Sequence, residues 1–160
     1  MKTDPTLNHF MFEAIELSLR NVREGKGGPF AAIIVKDGKV IARGANLVTS
    51  TNDPTAHAEI VAIREACRAL KSFQLDGCEM YTSCEPCPMC MGAIYWARPG
   101  RVYFGNTRKD AARIGFDDSF IYSELTRSLS RRKIPLIQCM REEALVAFRE
   151  WERKADKIAY

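Results

Sequence analysis

Pro54-Thr55-Ala56-His57-Ala58-Glu59 and Pro86-Cys87-Pro88-Met89-Cys90 are the two segments around which the rest of the chain reads. One imidazole and two thiolates form a ligand set that Zn²⁺ favours. Three protein ligands leave the fourth tetrahedral position open for a water, which marks a catalytic site and not a closed structural one. Glu59, two residues past the histidine, falls in the first turn of the helix expected there, so it can stand beside a metal without ligating it and handle protons. Cys84, Cys87 and Cys90 also spell Cys-x2-Cys-x2-Cys, part of an iron–sulfur pattern, but the fourth cysteine of that pattern is absent. Cys84 is therefore expected to pack beside the site without ligating, and Cys67, Cys78 and Cys139 to be small core residues.

Working outward, the apolar positions Ile60, Val61, Ile63, Ala66, Cys67 and Leu70 predict a helix that starts at His57. Pro88 is pre-organised for a first helical turn, so a second helix runs from Met89 to Ala97 and brings Cys87 and Cys90 to face one point. The partial positive charge at both helix starts favours thiolate over thiol. Upstream, Leu7, Met11, Ala14, Ile15, Ser18 and Val22 mark the inner face of a helix from Thr6 to about Glu24. Asp37-Gly38 joins Ala31–Lys36 to Lys39–Ala45 as an antiparallel hairpin, since Asp-Gly tolerates the positive φ of a tight turn. Asn46 to Thr55 reads as a polar loop, Glu79–Ser83 and Arg101–Gly105 as strands, and Asp110–Ile114 as a short helix. Beyond it come a loop over Gly115–Phe120, a last strand over Ile134–Cys139 and a closing helix from Arg141 to about Lys157. Alternating strands and helices predict an α/β architecture with helices on a largely parallel sheet.

The 160 residues, 46% hydrophobic and 28% charged, suit one domain with a proper core and no linker, repeat or second domain. Met1 to Asn8 lacks the apolar run of a signal peptide, and no stretch approaches the roughly 20 apolar residues of a membrane span. A cytoplasmic location follows as the expectation, with the six cysteines serving as thiols and ligands and not as disulfides. The net charge of +4, from 24 basic and 20 acidic residues, does not call for a nucleic-acid partner. Arg127, Arg131, Arg132 and Lys133 are the one local basic cluster and read as a solvated face.

At these motifs the chain resembles the cytidine deaminase-like superfamily, and its neighbouring segments resemble the bacterial guanine deaminases within it. The segments are Gly27-Gly28-Pro29-Phe30, Val35-Lys36-Asp37-Gly38, Asn52 to Glu59, Tyr81 to Cys90, Gly92 to Pro99 and Gly115-Phe116-Asp117-Asp118-Ser119-Phe120. The resemblance implies a three-layer α/β/α sandwich with a mixed five-stranded sheet, in a homodimer that exchanges its C-terminal segments. It also implies one Zn²⁺ per chain on His57, Cys87 and Cys90, proton transfer by Glu59, and a second acid at Asp118 that assists the departing ammonia. A purine base would be held by Phe30, Asn46, the backbone near Ala58, Trp96 and the partner's Tyr160. The expected reaction is hydrolysis of guanine to xanthine and ammonia. A tRNA adenosine deaminase is the main alternative, and another free base, a nucleoside or an aminotriazine are further ones. The acidic residues Asp117, Asp118 and Glu124 in the region that the resemblance sets near the pocket weigh against nucleic acid.

Overall fold

The computed structural model describes residues 5–160, with side chains described from Leu7 onward. They form two compact units, one reaching Asp118 and the other running from Ser119 to Tyr160. In the first, α1 (Pro5–Arg23) precedes the hairpin of β1 (Ala31–Lys36) and β2 (Lys39–Ala45). Then come α2 (Val48–Thr51), α3 (Ala58–Leu70), β3 (Cys78–Cys84), α4 (Pro88–Ala97), β4 (Arg101–Asn106) and α5 (Arg108–Arg113). Asp37 and Gly38 turn the hairpin with φ of 49° and 70°, so both strands match the expectation at both ends. The loop expected over Asn46–Thr55 holds the short α2.

Among the described residues the sheet has four strands in the order β2-β1-β3-β4. β1 runs antiparallel to both β2 and β3, and only β3 and β4 are parallel, so the sheet is mixed and not largely parallel. Alternate residues of β1 face opposite layers. Ala32 and Ile34 join Met80 of β3, Ala62 and Ala66 of α3, and Ile94 and Ala97 of α4. Ile33 and Val35 join Tyr81 of β3 and Phe10 and Ala14 of α1. The result is helix, sheet, helix. Of the inner face expected for α1, Leu7 and Met11 pack against the core and Ala14 and Ser18 are buried, but Ile15 and Val22 are exposed, while Phe10 and Asn21 are buried.

The second unit contains α6 (Ser119–Leu125), a 3-10 turn (Leu129–Arg131) and α7 (Arg141–Arg153). The loop expected through Phe120 thus gives way to helix at Ser119, and the last helix ends short of Lys157. The fifth strand expected over Ile134–Cys139 is not formed. Pro135 lacks the N–H a ladder needs, and Ile134, Leu136, Ile137 and Cys139 are all exposed, so Cys139 is not a core residue. No helix among the described residues is long and apolar enough to cross a membrane.

Gly44 on β2 decides how close α3 can come. A Cβ there would lie 2.2 Å from the Ala58 carbonyl oxygen and 2.5 Å from the Ala62 nitrogen, both backbone atoms that cannot swing aside. We expect Gly44→Ala to destabilise the protein by about 3 kcal/mol, the upper end of overpacking effects, lowering the thermal midpoint by roughly 6–12 °C. An unchanged midpoint by circular dichroism would show that α3 does not rest on β2 at that distance.

Candidate functional site

The start of α3 is set by the polar loop before it. Asp53 Oδ1 accepts from the Thr55 N–H at 2.8 Å and from its hydroxyl at 2.7 Å, an Asx turn that re-aims the chain. Leu47 N–H then donates to the Ala56 carbonyl at 2.9 Å, and His57 takes the extended conformation of an N-cap. Cys87 caps α4 in the same conformation, with Pro88 in the first turn. Both helices therefore begin at one place.

There the donor atoms converge. His57 Nδ1 lies 3.5 Å from Cys87 Sγ and 3.6 Å from Cys90 Sγ, and the two sulfurs are 3.5 Å apart. A tetrahedral zinc with ordinary Zn–S and Zn–N lengths would space its ligands by about 3.8 Å between sulfurs and about 3.6 Å between sulfur and nitrogen. The set therefore fits Zn²⁺ within a few tenths of an ångström, and among the described residues it is the one such cluster of His, Cys, Asp or Glu donors. Cys84 is outside it. Its Sγ sits 3.7 Å from the Thr107 carbonyl oxygen, and burial pushes the thiol up to about 11, which keeps it protonated.

Electrostatics at the ligands follow from proton sharing. Hydrogen bonding with Cys90, and then with His57, pulls the Cys87 thiol down to about 4 against the effect of burial. The same bond to Cys87 pushes Cys90 up, and burial adds to it. His57 is raised by its bond to Cys87, with burial opposing. Glu59 is 6% exposed, and burial raises its pKa. Thr82 donates its hydroxyl to Glu59 Oε1 at 3.0 Å, while Oε2 lies 3.4 Å from Cys90 Sγ. The carboxylate thus stands beside the donor set without belonging to it.

Of the other expected residues, Ala58 is buried at the first position of α3. Asn46 is buried, with Oδ1 accepting from the backbone N–H groups of Gly28 and Val48 at 3.3 Å each. Phe30 meets Phe116 edge-on, with ring centroids 4.9 Å apart. Asp118 has its pKa raised by burial and then by the Cys87 sulfur, with Arg108 opposing. Trp96 lies on the exposed side of α4, and Tyr160, in the second unit, is also exposed. In that unit Arg127 of the basic cluster pairs with Glu124 at 2.8 Å, and the backbone N–H of Lys133 donates to the same carboxylate at 2.6 Å. Sequence reasoning missed Thr82 and Phe116. Thr82 could have been found as a hydroxyl residue in a strand covered by helices on both faces.

Residues 5–106 match the family model for the cytidine and deoxycytidylate deaminase zinc-binding region. Guanine deaminase of Bacillus subtilis is 53% identical over 156 residues, 96% of this chain and 100% of that protein. Its solved structure superposes with a TM-score of 0.93 over 96% of this chain and 98% of that one. A solved guanine deaminase from Nitrosomonas europaea is 36% identical over 72% of this chain and 66% of that chain, with a TM-score of 0.66. The tRNA-specific adenosine deaminase of Agrobacterium fabrum is 46% identical, but over 61% of this chain and 63% of that protein. Elemental analysis should find a single zinc per chain, retained in Cys84→Ser and lost in Cys87→Ser. Iron with a visible charge-transfer band, lost in Cys84→Ser, would instead support a cluster on the three cysteines.

Proposed function

The chain belongs to the cytidine and deoxycytidylate deaminase family, and from that premise we propose that its substrate is guanine, which it hydrolyses to xanthine and ammonia. The observation that carries this reading is the match to guanine deaminase over nearly the whole chain, where the match to tRNA-specific deaminase is partial. Ammonia release from a panel of guanine, adenine, cytosine, 2,6-diaminopurine, guanosine, an aminotriazine and tRNA tests it. Guanine should give the highest kcat/KM, and turnover of tRNA with none of guanine would overturn it.

Zinc, when bound, lowers the pKa of a water from about 15.7 toward 7. Held by His57, Cys87 and Cys90, the metal would supply an acidified water, and Glu59 would carry a proton from the attacking water to guanine N3 as C2 is hydrated. Burial raises the proton affinity of Glu59, the direction that suits a group holding a proton between two transfers. Thr82 keeps Oε1 fixed while Oε2 points toward the donor set. Asp118 would pass to the departing amine the proton that the C2 hydroxyl gives up as the carbonyl forms, so that the C2–N bond breaks with ammonia as the leaving group. The raised affinity of Asp118 and the nearby Cys87 support that role. Asn46 and Phe30, with the Ala58 backbone and Trp96, hold the base. The six free cysteines fit a reducing cytoplasm.

The whole chain would act as one deaminase domain within a homodimer that exchanges its C-terminal segments. Two features support this. None of the residues from 119 to 160 is buried, although Ile134, Ile137, Phe148 and Trp151 are apolar. β4 is also an edge strand beside a groove of ≈ 340 Å³ lined in part by Leu7, Met11, Val102 and Phe104. Tyr160 of one chain would then close the partner's pocket against water, strengthening its electrostatics.

Glu59→Gln should keep zinc and fold but lose more than the 10²–10⁴-fold typical of general acid–base catalysis, and near-normal turnover would remove Glu59 from the mechanism. If Asp118→Asn binds guanine poorly yet keeps its single-turnover rate, Asp118 is a recognition group and not an acid. Deleting Ile158 to Tyr160 should lower kcat/KM on guanine far more than the thermal midpoint. A truncated dimer, zinc-loaded and with wild-type kcat/KM, would rule out the lid.

A further inference from the structure

Asn21 comes from α1, whose packing face is on the opposite side of the sheet from α3 and α4. It is 3% exposed, and its side chain reaches past the end of the sheet to the two loops that carry Phe30 and Asn46. One Asn21 Nδ2–H donates to the Gly28 carbonyl at 2.9 Å and the other to the Asn46 carbonyl, also at 2.9 Å. The Gly28 N–H in turn donates to Asn46 Oδ1, and the Asn46 N–H donates to the Phe30 carbonyl at 3.0 Å. The Phe30 N–H returns to the Gly28 carbonyl at 2.8 Å, so residues 28, 30 and 46 form a closed set of hydrogen bonds with the Asn21 amide at its back. Space there admits no alternative: a Cβ on Gly27 would lie 2.1 Å from the Asn46 carbonyl oxygen.

With Oδ1 committed to two backbone donors, what Asn46 can offer a ligand is its own pair of amide hydrogens. Their direction is fixed only as long as the Asn46 backbone and the Gly28 N–H stay where Asn21 holds them. We propose that Asn21 is a positioning residue for base recognition, acting through Asn46 and Gly28 without touching the substrate. This rests on the reading of Asn46 as a base-contacting residue of a guanine deaminase. A merely structural asparagine would satisfy the same two carbonyls, so the distinction lies in coupling to Asn46.

The test is a double-mutant cycle on the zinc-loaded full chain, with Asn21→Ala, Asn46→Ala and both together, read as kcat/KM on guanine. Misplacement of a contact by about 1 Å can lower turnover by about 100-fold. Accordingly, Asn21→Ala should lower kcat/KM about tenfold or more, mainly through KM, in the wild-type background. On Asn46→Ala it should cost less than about threefold, because the group it positions is gone. The thermal midpoint should fall equally in both backgrounds. Equal losses of kcat/KM in both backgrounds would reduce Asn21 to a structural residue. If Asn21→Ala does not fold, Asn21→Ser, whose hydroxyl can serve one carbonyl at most, takes its place in the cycle.

Hydrogen exchange separates this inference from the choice of substrate. The Gly28 and Val48 amides, which both donate to Asn46 Oδ1, should exchange at least about tenfold faster in the ligand-free variant. Unchanged exchange in a protein active on guanine removes the Asn21 clamp and leaves the substrate assignment. Faster exchange in a protein inactive on guanine removes the substrate assignment and leaves the clamp.

Discussion

Two helices must start at one point, and the rest of the first unit accommodates that demand. His57 and Cys87 both occupy N-cap positions, so each projects its donor past the unpaired N–H groups of a first turn. Two positive helix ends brought together repel unless negative charge stands between them. The acidified Cys87 thiol provides it at the start of α4. Backbone approach does the remainder: glycine at position 44 lets α3 rest on β2 beside Ala58, and Pro88 removes an N–H that the first turn would leave unpaired. The sheet serves the same point, because Thr82 at the end of β3 reaches Glu59 and the Ala31 N–H at the start of β1 donates to Ser83 Oγ at 3.0 Å.

What the sequence makes legible follows from how narrowly chemistry restricts residue types. The metal set reads directly, since few combinations at such spacing serve anything else, and the hairpin reads to the residue because Asp37-Gly38 admits one kind of turn. The mixed sheet is harder to read, since the alternation that favours parallel neighbours does not fix which strands pair, and β1 lies antiparallel to β3. The inner face of α1 misled for a different reason. Ile15 and Val22 are apolar yet exposed, whereas the polar Asn21 is buried, its amide donating to the Gly28 and Asn46 carbonyls. Hydropathy counts transfer free energy and cannot register which carbonyl lies in wait.

Residues 119–160 show the complementary failure. The 3.6-residue period located α7, a local property, with Arg141 at its start. A strand is not local: it exists by pairing, and Ile134–Cys139 has the composition of a strand without a ladder among the described residues. A stretch of this size cannot close a core of its own without staples, and no residue in it is buried. Its apolar pattern is therefore information about a surface to be covered, and the identity of the covering surface is not written in the segment itself.

Glu59 sets function against stability most sharply. A buried carboxylate beside two sulfurs is unfavourable to the fold in its charged form, and the single hydroxyl of Thr82 compensates only one of its oxygens. A lysine or arginine in place of Thr82 would pair with it better, but an adjacent cation depresses a carboxyl by about 1–3 pKa units. Under the proposed mechanism such a group would stay an anion, unable to carry a proton from water to a ring nitrogen. A neutral donor orients the carboxylate and leaves its proton affinity high. On that mechanism, a hydroxyl at position 82 answers the same requirement as a carboxylate in the interior.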